Sequence, residues 1–69
     1  MLRTPNVILL GGPDIPDDDR IQYLENTAER FKLFRGNRYE HFDPTSRYSL
    51  HLGQQVQVFN WVRSTFVAE

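Results

Sequence analysis

The sequence predicts a mainly β fold: a small antiparallel sheet of five or six short strands, curled toward a barrel, with one short helical turn near residues 16–20. Three observations predict it. Apolar runs are short, the longest being Val7-Ile8-Leu9-Leu10, and turn residues bound them. Gly11-Gly12-Pro13, Gly36-Asn37, Asp43-Pro44 and Gly53 punctuate the chain at strand-like intervals. Within segments, apolar and polar residues alternate with period two, as in Gln55-Val56-Gln57-Val58. A chain of 69 residues supports one domain over residues 1–69. Chains this short bury only about 60% of their unfolded surface, so the core is thin.

Taken in order, residues 6–10 read as a buried strand, and Gly11-Gly12-Pro13 turns the chain sharply after it. Pro16 followed by Asp17-Asp18-Asp19 has the chemistry of a first helical turn, where acids meet the positive end of the helix dipole. Ile21, Leu24, Ala28 and Phe31 follow helical spacing, so an α+β alternative, with a helix over 16–31 packed on the sheet, stays open. Asn26-Thr27 opposes that helix on propensity, and the favoured reading is a turn at 16–20, a strand near 21–24, a loop, and a strand at 30–35. In the last of these Phe31 and Leu33 face one way, Lys32 and Phe34 the other. Gly36-Asn37 then makes a hairpin with a strand at 39–42, which Asp43-Pro44-Thr45-Ser46 ends. Further strands are expected at 47–52, at 55–62 after Gly53, and at 65–68. Phe59-Asn60-Trp61 is apolar on both sides, which calls for a bulge or a central position in the sheet.

Composition excludes several classes of function. The chain is 39% hydrophobic with a net charge of −1, which rules out disorder driven by charge and gives no whole-molecule attraction to nucleic acid or anionic membrane. No apolar run approaches the roughly 20 residues of a membrane span. There is no cysteine, so thiol catalysis, disulfides and zinc-thiolate sites are absent. With no signal-peptide pattern in the first residues, a cytoplasmic location is expected. Charge is nevertheless uneven: residues 1–29 are acidic and residues 30–69 basic, and the two halves can attract each other within one fold or between two copies.

Certain landmarks recur in a known pattern. Pro5-Asn6-Val7-Ile8-Leu9 leads into Gly11-Gly12-Pro13, and Arg20 follows the acidic turn. Arg35-Gly36-Asn37-Arg38-Tyr39-Glu40-His41-Phe42 forms the middle; Val58-Phe59-Asn60-Trp61, Arg63-Ser64-Thr65 and Ala68-Glu69 close the chain. Over nearly its whole length the chain resembles a family of small actinobacterial-type proteins, a domain of unknown function whose genes often lie near those of secondary metabolism. The resemblance implies an accessory or regulatory role and carries over no catalytic residue.

Each candidate for chemistry has a structural counterpart. The glycine pair lacks the third glycine of a dinucleotide loop and the Gly-Lys-Ser/Thr of a phosphate loop, and the nearby aspartates repel phosphate, so it reads as a turn. Adjacent aspartates diverge and do not converge on a metal. His41 shares a strand face with Tyr39 and Asp43, where it can be an oriented base or a hydrogen-bonded structural residue. Arg30, Lys32, Arg35 and Arg38, interleaved with Phe31, Phe34 and Tyr39, have the composition of a single-stranded nucleic-acid face, or of a sheet with rings inside and bases outside. Trp61, with Phe59, Phe66 and Tyr48, is expected to supply core bulk. The reading is a small non-enzymatic binding or accessory protein, its ligand-binding candidates being Arg35, Arg38, Tyr39, His41 and Trp61. No catalytic residue, metal site or cofactor is expected. The partner is a protein or small molecule, a homodimer stays open, and the alternative is a nucleic-acid module using residues 30–39.

Overall fold

The computed structural model describes residues 4–67. Its elements are β1 (Val7–Leu10), α1 (Asp17–Arg20), β2 (Ile21–Gln22), β3 (Phe31–Arg35), β4 (Arg38–His51) and β5 (Gln54–Phe66). The strands form a single sheet in the order β2-β1-β5-β4-β3. The mainly β class read from the sequence is the one observed, helical turn included. The sheet is mixed, because β1 runs parallel to β5, and it stays open instead of closing into a barrel.

α1 is a single turn, and the helix over 16–31 does not form. At Ile21 the backbone is already extended, with φ −101° and ψ 117°. The side chain of Asn6 explains why residues beyond it stay non-helical. Its amide donates to the Leu24 carbonyl at 2.8 Å, and its oxygen accepts from the Leu24 N–H at 2.9 Å. One side chain thus takes both backbone groups that a helix would have used. Asn26 then accepts from the Ala28 N–H at 2.9 Å, a local turn of the kind that makes asparagine a poor helix former.

The two hairpins use different turns. At Gly36-Asn37 only the glycine has positive φ (+64°), the pattern of a type II′ turn. At Leu52-Gly53 both residues do, at +51° and +80°, the pattern of type I′. The strands expected at 39–42 and 47–52 are one 14-residue strand, β4. The intervening Asp43-Pro44-Thr45-Ser46 is absorbed as a bulge: Pro44 pairs with Phe59, and the next pair is Tyr48 with Gln57. Thr45 secures it, its hydroxyl donating to the Val58 carbonyl at 2.7 Å and accepting from the Arg47 N–H at 3.1 Å. The terminal strand likewise merges into β5, which ends at Phe66; Ala68 lies outside the described residues. β5 is the middle strand, and its pairing with β4 shifts between the His41–Arg63 and Phe42–Trp61 pairs, so both devices anticipated for Phe59-Asn60-Trp61 are present.

Residues paired across strands share a face, and that divides the sheet in two. One face carries the core of Val7, Leu9, Phe42 and Phe59, capped by Ile15 and flanked by Leu24, Phe31, Leu33 and Trp61. Each fully buried large apolar side chain contributes on the order of 1.5–3 kcal/mol. Residues 23–30 connect opposite edges of the sheet and cross this face, where the Gln57 amide donates to the Thr27 carbonyl at 3.1 Å. Tyr48 and Phe66 do not join the core as expected. They are 61% and 71% exposed, because they lie toward the ends of the long hairpin, beyond the reach of the covering segments.

Candidate functional site

The five candidates fall on opposite faces of the sheet. Arg35, Arg38 and Trp61 lie on the core side and gather around Glu40, which the sequence reading had not named as a site. Tyr39 and His41 lie on the other face, with Lys32, Phe34, Arg63 and Thr65, as the register fixes.

Glu40 is fully buried. One carboxylate oxygen accepts from the Trp61 indole N–H at 2.9 Å and from the Ser64 hydroxyl. The other lies 2.7 Å from Nε of Arg38, an ion pair whose geometry falls outside a hydrogen bond. Burial is the largest single influence on this carboxyl and raises its pKa. The bonds from Ser64 and Trp61 and the charges of Arg38 and Arg35 together outweigh it and hold the pKa below its ordinary value. Arg35 is itself tied down, donating to the Asp14 carbonyl at 2.6 Å. Trp61 also supports the glycine turn: a Cβ on Gly12 would fall 2.7 Å from its ring. These three candidates are thus engaged within the fold. Parity was the signal for Glu40, since on β4 it shares the inward side with Phe42.

The opposite face is open at its β3 end, whereas Val56 and Val58 on its β5 part are buried. Lys32, His41 and Arg63 form one row across β3, β4 and β5; Phe34, Tyr39 and Thr65 form the next. Phe34 is 56% exposed and packs against Tyr39 with ring centroids 5.0 Å apart and planes tilted by 56°. The Lys32 ammonium sits 5.4 Å from the Tyr39 centroid, in cation–π range. His41 Nε2 bonds the Thr65 hydroxyl at 2.7 Å, while Asp43 pairs with Arg30 at 2.8 Å. The His41–Asp43 arrangement weighed as an oriented base is therefore not assembled.

A cleft of about 990 Å³ lies elsewhere, lined by Ile8, Asp17, Asp18, Arg20, Ile21 and His51. None of the five candidates lines it. Arg20 is committed to structure there: its guanidinium donates to the carbonyls of Leu9, Gly11, Pro13 and Ile15 at 2.9–3.3 Å. Among the described residues, no group of three or more His, Asp or Glu side chains is placed to hold a metal ion. Nor is any helix of the described residues long and apolar enough to cross a membrane.

Fold and surface together define a small open-sheet protein with one covered face and an opposite face that exposes rings and bases at its β3 end. The chain belongs to a family of unknown function (DUF5988), whose family model matches residues 1–69. No curated protein and no solved structure matches it.

Proposed function

We propose that this is a non-enzymatic binding or accessory protein that engages a protein or small-molecule partner through the open sheet face. One observation carries the reading: the face offers Phe34, Tyr39, His41 and Lys32, while the arginines of the adjoining segment are already engaged within the fold. Arg30 pairs with Asp43, Arg38 with Glu40, and Arg35 with the Asp14 carbonyl. The resemblance to proteins encoded near secondary-metabolism genes supports a partner among biosynthetic enzymes, in the cytoplasm of an actinobacterium.

Phe34, Tyr39 and Lys32 also favour a second reading, single-stranded nucleic acid, since rings under bases and a cation on phosphate are what such surfaces use. The bases consumed internally argue against it, because phosphate contacts supply most of that affinity. Titration of the 15N-labelled protein separates the two. Against a panel of biosynthetic enzymes and their metabolites, amide shifts at Phe34, Tyr39 and His41 are expected. Oligonucleotide binding is expected to be weak and to fade between about 50 and 200 mM salt. Submicromolar oligonucleotide binding at the higher salt would replace the first reading with the second.

A further inference from the structure

We propose that β3 is a docking edge that accepts an extended, acidic segment of a partner protein as a sixth strand. This rests on the binding-module reading and names its partner and mode. Among the described residues β3 ends the sheet, with β4 on one side and no strand on the other. Its pairing with β4 is continuous from Phe31–Phe42 to Arg35–Arg38, without bulge or proline. Arg35 and Arg38 close a two-residue hairpin and so form a hydrogen-bonded pair. Alternation then puts Lys32 and Phe34 at positions whose N–H and C=O point away from β4, and no other backbone bond among the described residues reaches them. The opposite edge, β2, is only two residues long and offers no such template.

Charge chooses the occupant. The edge segment carries Arg30, Lys32 and Arg35 and no acid. Arg30 and Arg35 are engaged within the fold, so Lys32 is the cation the edge presents, and a second copy pairing here would set like charge against like across the seam, which destabilises a strand pair. An incoming strand with alternating acidic and apolar residues fits both faces. Its acids fall beside the exposed Lys32, extending the Lys32–His41–Arg63 row, and its apolar residues fall beside the half-buried Phe31 and Leu33. Main-chain bonds then provide the affinity and the alternation the specificity.

The probe is a capped hexapeptide alternating glutamate and valine, titrated to millimolar concentration into the 15N-labelled full chain, with a lysine–valine peptide as control. The acidic peptide is expected to shift and protect the Lys32 and Phe34 amides, and the basic one to do neither. Phe34→Pro removes an outward N–H and leaves the β4 ladder intact; it is expected to weaken binding at least about tenfold. Lys32→Glu, at an exposed position that cannot disturb the core, is expected to weaken the acidic peptide several-fold and admit the basic one. Equal binding of both peptides, no shift at β3, or full binding by Phe34→Pro overturns the proposal. So does a concentration-dependent dimer in sedimentation that protects the same amides, which would put a second copy at the edge. Shifts confined to His41, Arg63 and Thr65 would overturn strand addition and leave the binding-module reading standing.

Discussion

At the scale of single residues, Glu40 and Leu52 are the two side chains that break the expected pattern. Glu40 is a fully buried carboxylate, tolerable because Trp61 and Ser64 donate to one oxygen and the Arg38 charge lies beside the other. Glu40→Gln keeps the shape and loses the charge, and is expected to cost about 1–3 kcal/mol near neutral pH. Since the folded pKa is depressed, the unfolded chain takes up the proton first on acidification. The contribution is whole above the ordinary glutamate value and disappears as pH falls through the folded one. Urea midpoints of the two proteins should therefore converge as the pH is lowered through that window; a constant gap would deny Glu40 this role. Leu52 is the only non-glycine with positive φ among the described residues, and it is 90% exposed. The left-handed conformation costs a leucine roughly 1–2 kcal/mol. Leu52→Asn is expected to raise the urea midpoint by about 1 kcal/mol of stability with an unchanged slope.

At the scale of elements, the connection from β1 to α1 is held by one side chain. Gly11 and Gly12 both have positive φ, and the Arg20 guanidinium gathers the surrounding carbonyls. Lysine has a single point charge and cannot span four acceptors. Arg20→Lys should lose about 2 kcal/mol and speed hydrogen exchange at Gly11, Gly12, Asp14 and Ile15 more than at β4. Unchanged exchange in that loop would reduce Arg20 to a surface charge. Much of the element list was legible in the sequence because it is locally encoded: the glycine turns, the acidic helical turn, and the opposed faces of Phe31-Leu33 and Lys32-Phe34. Two features were not. Asp43-Pro44-Thr45-Ser46 has turn chemistry, yet its neighbours on both sides pair with β5, and the ladder swallows it as a bulge. The parallel partner of β1 lies far along the chain, where no local pattern can announce it. For the site, the residue types were legible and their grouping was not. Arg35, Arg38 and Tyr39 are near neighbours in sequence, but strand alternation sends the first two to the Glu40 side and Tyr39 to the open face.

At the scale of the whole molecule, the sheet is assembled from contacts of very different range. β4 and β5 meet across a two-residue turn, whereas Val7 pairs with Gln57, fifty residues on. Closing so long a loop is entropically opposed until the pairing rewards it. The β4–β5 hairpin is thus expected to form in the folding transition state and β1 to dock after it. Val56→Ala should mainly slow folding, and Val7→Ala mainly accelerate unfolding, in stopped-flow denaturant series. The reverse partition would mean that the parallel pair forms first.

The seat of Gly12 on Trp61 has an optical consequence. Trp61 is the sole tryptophan, half-buried where the glycine turn meets the sheet and hydrogen-bonded to the buried carboxylate. Its emission wavelength and its quenching by small solutes therefore read out one junction: loop, central strand and charged cluster together. Lifting the turn, protonating Glu40 or unzipping β4 from β5 would each alter that one fluorophore, so the native chain carries its own reporter with no label attached.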